Sequence, residues 1–236
     1  MSFPARVKTL FFDIDGTITE DLSNTGEVGY FEYVFRDLLV KKHHLSSQKA
    51  LSMVLNAEDK VAGKDPFLAL AQDNLGISES ELWEAIIRFQ HRNLRVYADA
   101  VSLIKKLYTT KYGLYVTTNN TTNRALAKLA CAGIADRSGS KYFKKIYGYD
   151  FTGFKKSSTD FYRKIFNDKS LHIEDTVIVG DDPVCDMEIP REVGVKGFII
   201  INRKQREEVV IEKNGAYFVN NLKRAWDILV PEKQEE

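Results

Sequence analysis

Short runs of apolar, β-branched and aromatic residues recur along the chain, and each ends in a small polar cluster. Val7 to Phe12 leads into Asp13-Ile14-Asp15-Gly16, and Gly113 to Thr117 leads into Thr118-Asn119-Asn120. Thr176 to Val179 ends in Gly180-Asp181-Asp182, Gly197 to Ile201 in Asn202-Arg203, and Ala216 to Val219 in Asn220-Asn221. Runs of this length that stop at Asp, Asn or Gly predict buried strands opening into turns. Between them, Ala98 to Thr109, Thr122 to Ala132, Ser157 to Phe166 and Pro183 to Glu192 carry helical patterning. Strands alternating with helices predict an α/β fold: a doubly wound, mostly parallel sheet covered on both faces. Such sheets bind ligands at the carboxyl ends of their strands, so the polar strand ends are expected to meet in one crevice.

The alternation breaks between about Glu20 and Tyr97, where only helical patterning is found. Gly29 to Lys42, Ser46 to Asp59, Asp65 to Asn74 and Ser78 to Val96 read as helices, the last opened by a Ser78/Glu81 capping box. The expected organisation is a core of residues 1–19 plus 98–236 and a helical cap of residues 20–97 inserted after the first strand. The insert begins beside the Asp-rich turn and could close over it; the plainer reading is extra packing for the core. Residues 231–236 read as a frayed polar tail.

A 44% hydrophobic and 11% aromatic content fits a folded globular chain of 236 residues. Lys+Arg (34) and Asp+Glu (33) nearly cancel, which removes the overall basic excess expected of a nucleic-acid binder. Any anion site must therefore be local. Cys131 and Cys185 lie far apart, form no metal-type spacing and read as buried free thiols. The first six residues lack a signal-like apolar run, and no stretch is long enough to span a membrane, so the protein reads as cytoplasmic.

Asp13 and Asp15 stand two apart at a strand end, where extended residues point the same way. Gly16 lets backbone approach a ligand. Alone, Asp-x-Asp-Gly could be an ordinary turn. Four pieces in order change that reading, and with them the chain resembles the haloacid dehalogenase superfamily of phosphohydrolases. Asp13-Ile14-Asp15-Gly16-Thr17 after a hydrophobic strand matches the first motif. Val116-Thr117-Thr118-Asn119-Asn120 matches the second, with the Thr-Asn pair favouring Thr118 over Thr117. Lys156, followed by Ser157 where Pro is usual and by Tyr162 six residues on, matches the third; Lys155, with Phe161 at the same offset, is its rival. Gly180-Asp181 with Asp186, and Asp182 as an additional acid, matches the fourth.

The resemblance implies a Rossmann-like core with a helical cap and an active site at the strand ends. It implies Mg2+ held by the Asp13 carboxylate, the Asp15 backbone carbonyl and Asp181, with Asp186 or Asp182 completing the shell. Asp13 would attack phosphorus to give an aspartyl-phosphate, and Asp15 would act as acid and then as base. Thr118 and the amides near Asn119 would bind the phosphoryl oxygens, with Lys156 supplying fixed positive charge. Family dehalogenases lack the second Asp, because a halide leaves without a proton; phosphonate hydrolases likewise lack Asp at that position. The expected activity is hydrolysis of a small phosphorylated metabolite. The alternatives are a phosphomutase of the β-phosphoglucomutase type and a non-catalytic regulatory protein of this fold. A closing cap would disfavour phosphoprotein substrates. Outside the four motifs, Lys41-Lys42-His43-His44 resembles a metal or phosphate patch but reads as a solvated helix end; His91-Arg92 with Arg95 could reach an anionic substrate from the cap but reads as an exposed helix face; Arg203-Lys204 with Arg206 reads as a surface loop or helix start.

Overall fold

The computed structural model describes residues 7–23, 34, 38–41, 43–58, 77–167, 171–205 and 210–230. Its main sheet has seven strands: β1 (Thr9–Phe12), β4 (Gly113–Thr117), β5 (Lys145–Tyr147), β6 (Thr176–Gly180), β7 (Gly197–Ile201), β8 (Val210–Lys213) and β9 (Ala216–Val219). They lie in the order β5-β4-β1-β6-β7-β9-β8, with all neighbours parallel except the β8–β9 edge pair. The chain winds outward from β1 through β4 to β5, then restarts at β6 on the other side of β1. That reversal opens the crevice in which α/β sheets bind ligands.

Side-chain alternation assigns the two faces. Leu10, Phe12, Leu114, Val116, Val177, Val179, Ile199 and Ile201 join one apolar cluster, while Phe11, Ile178, Phe198 and Ile200 join the other. The first cluster is covered by α3 (Ala98–Leu107), α4 (Thr122–Cys131) and α8 (Ala225–Leu229), through residues such as Leu103, Ala125 and Ile228. The second is covered by α6 (Thr159–Phe166) through Phe161, Tyr162 and Ile165, with the short helices α5 (Tyr149–Thr152) and α7 (Ile189–Glu192) before and after it in the chain. With both faces covered, the central strands bury every residue, and the predicted near-continuous apolar runs are what such strands need.

The insert departs from the all-helical expectation. Among its described helical residues, Val34, Leu38 and Leu39, Ala50 of α1 (Ser47–Glu58), and Leu82, Ala85, Ile86 and Phe89 of α2 (Glu79–Asn93) share one apolar cluster. Ala127 of α4 joins that cluster, so the insert is seated on the core. The predicted Ser78/Glu81 capping box is present. The helix stops at Asn93, and Leu94–Val96 instead forms β3, antiparallel to β2 (Thr19–Asp21). The Leu22 backbone N–H donates to the Asn93 carbonyl at 2.7 Å, so a strand pair ties the two ends of the insert together where helix was expected. The expected helix over Asp65 to Asn74, and most of that over Gly29 to Lys42, lie outside the described residues. Cys131 and Cys185 are free but only partly buried, in contrast to the buried thiols expected. Cys131 ends α4, and Cys185 sits on the turn that follows Asp182. Among the described residues, no helix is long and apolar enough to cross a membrane.

Candidate active site

Register places the motifs side by side. Phe12 pairs with Val116 on one flank and with Val179 on the other. The Asp13 N–H extends that ladder by donating to the Val179 carbonyl at 2.9 Å. Asp13 therefore leaves β1 between the Thr117-Thr118 end of β4 and the Gly180-Asp181 end of β6, each about 5 Å away laterally.

One carboxylate oxygen from each of Asp13, Asp181 and Asp186 lies within 4.8 Å of the other two. Close glycines allow this packing. Gly16 has φ +78°, and a Cβ there would stand 1.9 Å from Asp181 Oδ2. A Cβ on Gly180 would stand 2.2 Å from Asp186. Asp186 projects inward from a π-helical turn, Val184–Glu188, a local widening common at functional sites. Asp182 caps that turn, its Oδ1 accepting from the N–H groups of Val184 (2.8 Å) and Cys185 (3.2 Å). It is exposed and stands outside the carboxylate trio.

Lys156 is 2% exposed, and its ammonium lies 2.7 Å from Asp13 Oδ1 and also pairs with Asp186. Lys155, its rival in sequence, is exposed. Burial works against the Lys156 ammonium, but the Asp13 and Asp186 carboxylates outweigh it and hold the pKa well above the ordinary lysine value. Burial pushes Asp13 well above the usual carboxylate range; Lys156 opposes this, and the charges of Asp186, Asp15 and Asp181 add to it. The aromatic residue six positions after Lys156 braces the site from behind. The Tyr162 hydroxyl donates to the Cys185 carbonyl at 2.7 Å, tying α6 to the turn that carries Asp186.

The second motif divides its work. Thr118 is buried, and its Oγ1 accepts from the Asn120 backbone N–H (3.1 Å) and side-chain amide (2.8 Å). The Asn119 side-chain oxygen accepts from the Lys156 N–H at 2.8 Å, so Asn119 steadies the lysine loop. Asn120, quoted in the motif without a role, also donates to Asp15 Oδ2 at 2.6 Å.

Two further residues were missed in the sequence. Lys128 of α4 is 1% exposed, and its ammonium lies 2.5 Å from Asp15 Oδ1. The available signal was a second base, Arg124, one turn earlier on the same helix face; Arg124 lies 3.2 Å from Asp21. Arg203, expected in a surface loop or at a helix start, instead clasps the Asp-rich turn. It donates to the carbonyls of Gly16 (3.0 Å) and Thr17 (2.6 Å), pairs with Asp99 and stacks 3.5 Å from the Tyr97 ring centroid. Its signal was position, at the end of β7 with the other polar strand ends.

Beside these groups opens a cavity of about 470 Å³ lined by Asp15, Glu20, Asp21, Asn120, Lys128 and Asp181, among others. The donor set suits a magnesium ion: three carboxylates, which offer the hard oxygen ligands this cation takes, converge within reach of one another. Burial first, then the Asp186 charge, raises the Asp181 pKa to about 6, against the opposing Lys156. Folded protein without metal thus keeps a proton on Asp181 that the unfolded chain releases, so the contribution of this carboxyl to stability falls as pH rises from about 4 to about 6. A cation must displace that proton. Magnesium is therefore expected to raise the melting temperature clearly at about pH 7.5 and much less at about pH 5. Thermal melts with magnesium or EDTA at both pH values check this; an equal rise at the two would contradict it.

The sequence profile of the haloacid dehalogenase-like hydrolases matches residues 10–200. No curated protein matches the chain. Among solved structures, it is similar to a HAD phosphatase from Thermococcus onnurineus, at 23% identity and a TM-score of 0.57 over 94% of this chain and 97% of that one. It is similar to a 2-haloacid dehalogenase from Pseudomonas syringae, at 16% identity and 0.59 over 94% and 97%. It is also similar to YfnB from Bacillus subtilis, a HAD-hydrolase structure bound to magnesium, at 21% identity and 0.56 over 95% and 99%. These likenesses share the doubly wound fold described above. With the profile spanning most of its length, the chain belongs to the haloacid dehalogenase-like hydrolase family.

Proposed function

We propose that this protein is a magnesium-dependent phosphatase that hydrolyses a small phosphorylated metabolite through an aspartyl-phosphate on Asp13. The observation that carries the reading is the convergence of Asp13, Asp181 and Asp186 within 4.8 Å, with the Lys156 ammonium 2.7 Å from Asp13. Asp13, Asp181, Asp186 and the Asp15 carbonyl would hold the ion. When bound, magnesium would supply positive charge that lets a carboxylate meet a phosphate dianion.

An Asp13 oxygen attacks phosphorus, and the bond from phosphorus to the ester oxygen breaks. The Asp15 carboxyl gives its proton to the departing oxygen, then takes one from the water that attacks the aspartyl-phosphate, which returns Asp13 and releases phosphate. Lys156 stabilises the charge on the transferring group, and the Thr118 hydroxyl with the Asn119 amide binds its oxygens. Asp15 lines the cavity, where a leaving alcohol would sit. That position favours ester hydrolysis over dehalogenation, in which the leaving halide takes no proton. Glu20, Asp21 and Ser23, at the base of the insert, line the same cavity and would select the alcohol, with the insert as the cap.

Turnover of p-nitrophenyl phosphate with magnesium, lost on chelation, is expected. Absence of turnover on this ester and on a panel of phosphorylated metabolites, with magnesium present, would overturn the reading.

A further inference from the structure

Asp15 is held at both oxygens. Lys128 lies 2.5 Å from Oδ1, and the Asn120 amide donates to Oδ2 at 2.6 Å. The Asp15 side chain is otherwise 44% exposed toward the cavity, where an unanchored aspartate would sample several rotamers. Lys128 has the opposite character. It is 1% exposed on a helix whose neighbouring residues, Ala125, Ala127 and Leu129, are apolar and fully buried. An ammonium in such a place is costly to strip of water, and packing alone would be served as well by methionine. The charge makes sense through what it touches. Asn120 donates through the same side-chain nitrogen to Thr118 Oγ1, so the anchor for Asp15 is continuous with the hydroxyl assigned to phosphate.

Resting on the phosphatase reading above, we propose that Lys128, with Asn120, is a positioning residue that fixes the Asp15 carboxyl for proton transfer to the leaving group. Each Asp15 oxygen keeps a second lone-pair site, so it can carry or deliver a proton while both anchors hold. Lys128 itself transfers nothing; it confines Asp15 to the geometry in which its proton reaches the ester oxygen. Misplacing a catalytic group by about 1 Å costs on the order of 10²-fold.

The test uses two esters of similar shape whose leaving groups differ in their need for a proton. p-Nitrophenol departs readily as an anion, whereas p-nitrobenzyl alcohol does not. The kcat/KM values report transfer to Asp13, the step in which Asp15 acts as acid. In Lys128→Met, which keeps the volume, the benzyl-to-phenyl ratio of kcat/KM is expected to fall at least about 30-fold. In Lys128→Arg, which restores a donor, the ratio should recover. The melting temperature of Lys128→Met should equal or exceed that of the parent, because a buried charge has been removed. An unchanged ratio, with both esters losing equally or neither losing, overturns the positioning role while leaving the phosphatase intact. A parent protein that turns over neither these esters nor any member of the phosphorylated-metabolite panel overturns both.

Discussion

Replacing Asp13 by Asn is expected to abolish turnover, by a factor on the order of 10⁴ or more, as loss of a covalent nucleophile does in other hydrolases. An amide nitrogen or oxygen cannot form the acyl phosphate, and no second carboxylate is placed to substitute. Asp181 and Asp186 come from the β6 side, and Asp186 is paired with Lys156 at 0% exposure. The effect on stability should run the other way. Asp13 is buried among the charges of Asp186, Asp15 and Asp181, and its pKa is raised well above the usual range, so its ionised form is disfavoured in the fold. A neutral Asn of the same shape avoids the burial penalty, the largest of these effects, and the repulsion, which together outweigh the lost attraction to Lys156. Asp13→Asn should therefore melt no lower than the parent without metal and gain less from magnesium. A variant with lost activity and a collapsed melting temperature would instead make Asp13 a structural residue.

The second large effect is expected from Lys156→Ala, with turnover falling at least about a hundredfold, the cost of removing a preorganised charge that faces a developing anion. Here stability should fall as well. Lys156 is the ammonium paired with both Asp13 and Asp186, and removing one partner of a buried ion pair costs about 3–5 kcal/mol. Protonation of the freed carboxylates softens the loss, so it should be larger at about pH 8 than at about pH 5. Magnesium binding should survive, because a positive competitor for the same oxygens has gone. Calorimetric titration with magnesium distinguishes this from general damage: retained or tighter binding with the rate lost fits a charge that acts on the transition state. A near-parental rate would remove Lys156 from the chemistry.

The parts of the fold that were legible are those whose burial is two-sided. β1, β4, β6, β7 and β9 are runs of apolar residues because helices cover both faces of the sheet, and their polar ends marked the crevice. β5 (Lys145–Tyr147) and β8 (Val210–Lys213) went unread because edge strands carry lysine and are short. β2 and β3 were hidden for another reason. Leu94-Arg95-Val96 continues a helical pattern in sequence, and only pairing with Thr19–Asp21 makes it extended.

Asp13, Asp15, Thr118, Asp181 and Asp186 were proposed from motif spacing, and the fold brings them to adjacent strand ends. Sequence left Lys156 and Lys155 competing; the fold buries one and exposes the other. Lys128 and Arg203 carried only weak local signals. A lysine inside a helix or an arginine after a strand is ordinarily solvated. Their partners, Asp15 and the Gly16 and Thr17 carbonyls, lie 113, 187 and 186 residues away along the chain.

The most direct measurement is to acid-quench the protein during turnover of p-nitrophenyl phosphate with magnesium and map the added phosphoryl group by mass spectrometry. One phosphoryl is expected on the peptide that contains Asp13, sensitive to alkali and absent from Asp13→Asn. A phosphoryl group on any other residue of an actively turning-over enzyme would contradict nucleophilic attack by Asp13.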